Sequence, residues 1–320
     1  MEGRKTAKGM DKTMTHYHPE GHLIATAKNR AALASAATLR EAMLTGTVLE
    51  ARALRCDADH NLFVELPCGE GIIPYTEGAV GIAEGTTRDI ALISRVSKPV
   101  CFTVQAVEEA GGEVRAVLSR RAAQEKCRRE YLSRLTVGDI LPARVTRLES
   151  FGAFCDIGCG LPALMPIAGI SVSRIPHPAD RFSVGDNIFA VVTSLEGGRV
   201  CLSGRELLGT WEENAALFRA GETVAGIVRS VEPYGIFVEL TPNLAGLAEW
   251  REGVRSGQRT GVYIKSILPA RMKLKLVIID TQDNMPAPPP KLHYFLTEGH
   301  LNYWRYSPAD CEKRVETVFE

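Results

Sequence analysis

One short motif recurs three times in this chain of 320 residues, and the recurrence limits the fold more than any other feature of the sequence. The tetrapeptide FVEL stands at Phe63–Leu66 and again at Phe237–Leu240, with FCDI at Phe154–Ile157 in the corresponding place between them. A glycine precedes each copy at nearly constant distance: Gly46 by 17 residues, Gly138 by 16 and Gly221 by 16. GIIP from Gly71, ALMP from Ala163 and GLAE from Gly246 follow at offsets of 8, 9 and 9. The first two units close with VLSRR (Val117–Arg121) and CLSGR (Cys201–Arg205). The third closes with MKLKLVIID (Met272–Asp280) and is about ten residues shorter ahead of that strand. Three copies of one unit account for this register.

Within each copy the hydrophobic pattern has period two. In the third, Val224, Gly226 and Val228 alternate with Thr223, Ala225, Ile227 and Arg229, and Ile236–Leu240 forms a second extended run. Short β-branched runs broken by Gly and Pro every ~8–12 residues describe a small antiparallel barrel, whose closure removes exposed strand edges. A helical stretch lies ahead of each copy. Residues 29–43 place Leu33, Ala36 and Met43 on one face with Asn29 as cap; residues 120–134 place Ala123, Cys127 and Tyr131 together among basic residues; residues 205–218 align Leu207, Trp211, Ala215 and Phe218. The expected fold is all-β: three small barrels in tandem joined by short helices. Expected boundaries are an N-terminal segment and helix (1–43), barrels at 44–119, 137–206 and 219–280, linker helices at 120–136 and 207–218, and a Pro-rich linker with an aromatic tail at 281–320.

Composition removes several function classes. Lys plus Arg and Asp plus Glu are both 38, so a polyanion can be met only by local basic patches. Residues 41–119 carry six basic against twelve acidic side chains, whereas residues 219–280 carry nine against six. The sequence has no apolar run of the ~18 residues a spanning helix needs, and the residues from Met1 to His22 lack the apolar core of a signal peptide. Eight cysteines without a CxxC pair read as reduced thiols, so a cytoplasmic location is expected.

Three tempting motifs fail. GCGLPA (Gly158–Ala163) mimics a dinucleotide fingerprint, but Pro162 and Pro166 forbid the helix it must open, so it reads as a hairpin turn. The histidines of HYHPEGH (His16, His18, His22) lack partners at metal-ligand spacing and read as a polar, partly mobile segment. Cys155 and Cys159 flank a turn and read as buried or idle thiols, since a zinc site needs two more ligands at defined spacing. With no P-loop, HExxH or GxSxG motif either, the expectation is a non-enzymatic protein without cofactor or metal.

The middle copy reads VGDILPARVTRLESFGAFCDIGCGLPALMPIAGI, then RIPHP, then VGDNIFAVVTSLEGGRVCLSGRE. It resembles the RNA-binding domain named for ribosomal protein S1, a five-stranded OB-fold barrel, in its paired Val-Gly-Asp openings, Phe-Gly-Ala-Phe turn, His-Pro segment and closing Leu-Ser, which implies an all-β chain of three tandem five-stranded OB-fold barrels joined by short helices. The third copy (PYGIFVEL, GLAEW) is a shortened match and the first (HNLFVEL, GIIP) a degenerate one. The resemblance implies single-stranded RNA held across strands two and three, with aromatics stacked on bases and basic groups along phosphates. Carried over, the RNA-binding residues are Phe151 and Phe154 with His177 and Arg199 in the middle copy, and Tyr234 and Phe237 in the third, where Trp250 and Lys265 could line the same face. In the first copy only Phe63 matches, with His60 in the other aromatic position. The sequence leaves open a core role for Phe154 and Phe237 and a barrel-closing role for Trp250. The family's frequent histidine after strand three is Pro166 here, and Pro74 in the first copy; with the zero net charge, this implies weak or selective RNA affinity, or binding that depends on a docked platform.

The implied function is non-catalytic mRNA binding in bacterial translation, with the small ribosomal subunit as partner and no membrane. Two alternatives stay open: an RNA-binding regulator of RNA decay or transcription, and a protein-interaction adaptor with reduced RNA affinity. The tail after MPAPPPK, with Tyr294, Phe295, Tyr303, Trp304 and Tyr306, reads either as a docking element or as a strand packed on the third barrel.

Overall fold

The computed structural model describes residues 4–7, 17–282 and 292–320, the first four by their backbone alone. His16 and the MPAPPPK linker lie outside the described residues. After β1 (Arg4–Ala7), the strands β2 (Leu49–Cys56), β3 (Leu62–Leu66), β4 (Gly69–Ile73), β5 (Pro99–Ala110) and β6 (Glu113–Ser119) form barrel one. Barrel two consists of β7 (Ile140–Glu149), β8 (Gly152–Asp156), β9 (Pro162–Pro166), β10 (Asn187–Ser194) and β11 (Cys201–Ser203). Barrel three consists of β12 (Thr223–Glu232), β13 (Gly235–Thr241), β14 (Leu244–Ala248), β15 (Arg259–Leu268) and β16 (Lys273–Gln282). All three are closed, with spatial order first-second-third-fifth-fourth. The fold is therefore the expected series of five-stranded barrels. The third is complete, and its shortening falls in the connection between third and fourth strands: residues 249–258, against 167–186 and 74–98 in the other two.

The glycine ahead of each copy has a backbone reason. Gly46, Gly138 and Gly221 all adopt positive φ (59°, 99° and 93°) on entry to the first strand, a conformation that strains any residue with a Cβ. At Gly138 a Cβ would also lie 2.1 Å from the Leu301 carbonyl oxygen.

The chain divides into two compact units. Residues 12–135 with 156–162 form one, built around barrel one. Its helical lead-in corrects the sequence reading. Instead of one helix capped by Asn29, there are two, α1 (Ala27–Ala32) and α2 (Ala36–Thr45), capped by Thr26 and Ser35. Asn29 is buried inside α1, where its Nδ2 donates to the Glu50 carbonyl at 2.7 Å and its Oδ1 accepts the Glu50 N–H at 2.8 Å. β3 pairs with β2 only from Ala53 onward, so the carboxamide completes a ladder the strands leave unfinished. The histidine segment also departs from expectation, since Tyr17 and Glu20 within it are buried. Burial drives the Glu20 carboxyl upward, but Arg120 at 2.7 Å and Arg95 at 3.2 Å overcome this and hold it below its ordinary value. The unit also contains α3 (Ile90–Ile93) and α4 (Arg120–Glu130), the latter capped by Ser119.

The other unit, residues 1–11, 136–155 and 163–320, carries barrels two and three. The expected helix over 205–218 is a 3-10 turn followed by α5 (Trp211–Ala215), with Leu207, Trp211 and Ala215 all buried. The aromatic tail packs inward. Strand β17 (His300–Arg305) pairs with β1 and with β18 (Glu316–Val318). Trp304 and Tyr306 join the core of barrel three, together with Ile140 and Val191 from barrel two. Tyr306 donates to the Asn243 carbonyl, and Tyr294 meets Phe189 of β10 edge-on at 5.4 Å. The tail thus binds both barrels, not the third alone.

Removing the Asn29 carboxamide leaves a buried backbone N–H and C=O without this partner. Asn29→Ala is expected to destabilise the barrel-one unit by about 1–3 kcal/mol in denaturant unfolding. A loss below ~0.5 kcal/mol would show that water replaces the carboxamide.

Candidate nucleic-acid interface

Alternation along the second strand decides which way its aromatics point. In β8, Ala153 and Cys155 face the interior and are fully buried, which turns Phe154 to the outer surface. In β13, Ile236 and Val238 fill the interior and Phe237 faces out. Both phenylalanines are half-buried residues of the outer face and not part of the core, which settles the alternative the sequence left open. Ahead of each stands an exposed aromatic, Phe151 at 55% and Tyr234 at 70% of full accessibility. The intervening glycine explains their position. A Cβ at Gly152 would lie 2.4 Å from the Met165 carbonyl oxygen, and one at Gly235 would lie 2.6 Å from that of Ala248. Strand three therefore runs close under the turn, and the preceding ring stands clear of it.

The two pairs share one geometry. Phe151 meets Phe154 edge-to-face at 6.0 Å and 89°; Tyr234 meets Phe237 at 6.2 Å and 86°. In an edge-to-face pair the edge of one ring covers one face of the other, and the remaining faces are not used by the pair.

Barrel three extends this surface in a ladder across the sheet. Ser230, Phe237, Leu247, Lys275 and Ser266 are successive partners on β12, β13, β14, β16 and β15. Lys275 is therefore the cation aligned with Phe237. Lys265, the residue picked from sequence, stands exposed on β15 beside Ser266. The signal for Lys275 was present in the MKLKLVIID alternation, which sets Lys273 and Lys275 on one face opposite Leu274 and Leu276. Trp250 follows β14 at the end of the strand pair where Tyr234 lies, and at 57% accessibility it does not close the barrel.

In barrel two, His177 caps a 3-10 turn, its Nδ1 accepting the Ala179 N–H at 3.1 Å, so Nε2 is the nitrogen left for other partners. Arg199 is exposed, two residues ahead of Cys201, which pairs with Leu164 of β9. GCGLPA is the β8–β9 turn, with Cys159 itself at φ 50°.

Not every arginine on barrel three is available to a ligand. Arg229 on β12 binds Glu239 through Nε (2.8 Å) and Nη2 (3.0 Å) and lies 3.6 Å from Asp180. Arg181, fully buried, donates to the same Glu239 carboxylate. Burial lowers the Arg181 guanidinium from its ordinary value, and Glu239 acts against that shift.

Barrel one departs from this pattern. Arg55, the β2 partner of Phe63, lies 3.2 Å above the Phe63 ring centroid and reaches Glu70 at 3.5 Å. This ring face is thus covered, whereas in barrel three the residue across from Phe237 is the small Ser230. The glycine between the aromatics is replaced by Asn61, whose Oδ1 accepts the Tyr75 N–H, while His60 packs against Tyr75 at 5.7 Å. Among the described residues, no group of three or more His, Cys, Asp and Glu is placed to hold a metal, and no helix is long and apolar enough to cross a membrane.

Parts of the chain are similar to known proteins. Residues 134–201 match the family described as S1 RNA binding domain. The small ribosomal subunit protein bS1 of Leuconostoc lactis is 34% identical over 190 residues, 54% of this chain and 44% of that protein. The bS1 of Streptococcus pneumoniae is 32% identical over 55% of this chain and 46% of its own length. The matched part thus spans less than half the length of these two relatives. Among solved structures, a multidomain streptococcal protein with nucleic acid binding domains aligns over 75% of each chain at 14% identity and a TM-score of 0.26.

With their rings on the barrel surface, Phe151→Ala and Tyr234→Ala are each expected to cost less than ~0.5 kcal/mol of stability, as surface substitutions do. Phe154→Ala and Phe237→Ala should cost about 1–2 kcal/mol, the share of a half-buried ring. Losses above ~3 kcal/mol in chemical unfolding would return these residues to the core.

Proposed function

We propose that this protein, in which residues 134–201 are an S1 RNA binding domain, is a non-catalytic binder of single-stranded RNA that works through barrels two and three. The observation that carries the reading is the repeated edge-to-face aromatic pair, exposed at the same place on both barrels. An open ring face stacks on any base and contributes ~1–3 kcal/mol per base without reading sequence. Phe151, Phe154, Tyr234, Phe237 and Trp250 are the proposed stacking residues. His177, Arg199, Lys265 and Lys275 are the polar and cationic groups that accompany the strand.

The relatives are named as small ribosomal subunit proteins, and on that basis the proposed setting is mRNA handling at the small subunit during translation. Barrel one has a different role in this reading. Its one matching aromatic is covered by Arg55 and its segment is acidic, both of which favour a structural or protein-facing part. RNA decay, transcription and a purely protein-binding adaptor remain the competing assignments, and sedimentation with purified small subunits with and without mRNA separates them.

In the full chain, Phe151→Ala and Tyr234→Ala should each weaken binding of an unstructured RNA by ~1–3 kcal/mol in fluorescence anisotropy, whereas Phe63→Ala should leave it unchanged. Equal effects of all three substitutions would dissolve the distinction between the barrels. Affinity should also fall with salt, with a log–log slope of about −0.7 for each phosphate contacted. Lys275→Gln should make that slope shallower.

A further inference from the structure

Barrels two and three lie in one compact unit, and the contacts between them fall beside the aromatic surface of barrel three. Glu239 is two residues beyond Phe237 on the same outer face of β13, and Arg229 immediately precedes Ser230, the cross-strand partner of Phe237. The Glu239 carboxylate is 2% exposed and is gripped by Arg181 and Arg229, with Asp180 closing the group 3.6 Å from Arg229. Asp180 and Arg181 belong to the barrel-two segment that begins with His177. The chain just ahead of His177 is fastened immediately beyond β13: the Ser173 N–H donates to the Pro242 carbonyl at 3.1 Å, and the Val172 N–H to the Asn243 side chain at 3.0 Å. Asn243 in turn donates to the carbonyls of Arg205 and Gly209. The connection leading from strand three of barrel two therefore lies along strand two of barrel three.

We infer that barrels two and three present one continuous track for a single strand of RNA, in which the segment 171–183 bridges the Phe151/Phe154 pair to the Tyr234/Phe237 pair at fixed spacing. The inference rests on the RNA-binding reading and specifies its ligand, a strand long enough to occupy both pairs at once. The fixed spacing follows from the bonding. The Glu239 carboxylate is buried between the fully buried Arg181 and the largely buried Arg229, with the partly exposed Asp180 at its margin, and such a group tolerates little displacement, because any shift leaves a charge unpaired out of water. The buried Trp304 and Tyr306 of the tail add an apolar tie between the same barrels. Barrels on a slack tether could close up to meet a short ligand, but a rigid pair cannot. Linked binding then gains its effective concentration only when the ligand spans the gap.

The test uses the full chain and a series of RNAs in which two uridine runs, each about four nucleotides (the low end of an OB barrel's site size), are joined by abasic spacers of increasing length. Anisotropy titrations should show short-spacer strands binding no better than a single uridine run. Affinity should then rise by about 100-fold or more once the spacer reaches the second pair, and decline slowly beyond that length. Tyr234→Ala, an exposed position, should flatten the whole series to single-run affinity. A wild-type series that is flat, or that already reaches full affinity at the shortest spacer, overturns the fixed track while leaving RNA binding intact. Failure of every strand to bind overturns the RNA-binding reading and the track with it.

Discussion

Every surface described above depends on the parallel pairing of the third strand with the fifth, which closes each five-stranded sheet. That pairing brings the fifth strand's inward leucine, Leu118 or Leu276, over the third strand's backbone. A Cβ at Gly71 would lie 2.4 Å from Leu118, and one at Gly246 would lie 2.6 Å from Leu276. The corresponding place in barrel two holds alanine, Ala163, and its fifth strand buries Leu202. The small residue that opens GIIP, ALMP and GLAE is thus the space into which the closing strand packs. Once the sheet is closed, alternate positions of the second strand are committed to the interior. The phenylalanine between two interior residues has no place left but the outer face, so core packing itself determines that the aromatic surface exists.

The acidic residue two places further along the same strand shows how one repeat position serves different ends. In barrel three it is Glu239, buried under two arginines; in barrel two it is Asp156, which accepts backbone N–H groups from Glu20, Gly158 and Gly160. In barrel one it is Glu65, exposed opposite Glu70. Burial, and then the nearby Glu20 charge, push Asp156 up to about 7. Charged groups buried in this way add little net stability over apolar packing, because desolvation offsets their attraction. Their contribution is geometric: a carboxylate with several fixed donors accepts one arrangement of its neighbours and penalises the rest.

The architecture was legible in the sequence because closure and alternation act locally. Spacing between Gly46, Phe63 and Gly71 and its two echoes records one strand order, and the structure repeats it three times. Less legible were features decided by distant partners. Asn29 has the composition of a helix cap, yet the unfinished ladder at Glu50 draws it into the interior. Trp304 and Tyr306 read as a dense aromatic tail whose destination no local pattern specifies. The grip of Arg181 on Glu239 joins residues 58 positions apart, in segments that each look like an ordinary charged turn or strand. Lys275 was legible in principle, since strand periodicity alone sets it beside Lys273, but the ladder that aligns it with Phe237 needs the register.

The comparison between barrels carries the functional argument furthest. All three copies keep a phenylalanine at the same outward position, so the residue alone cannot distinguish a binding barrel from a structural one. Between barrels one and three, its first-strand partner does. Ser230 stands opposite Phe237 and leaves the ring open, whereas Arg55 stands opposite Phe63 and covers it. A guanidinium over a ring face gains cation–π attraction, and its ion pair with Glu70 keeps it there. A base stacking on Phe63 must first displace that arginine and then approach Glu65 and Glu70. The same fold thus has an open and a self-occupied version of one surface, and the difference lies in the residue across the ladder from a shared aromatic.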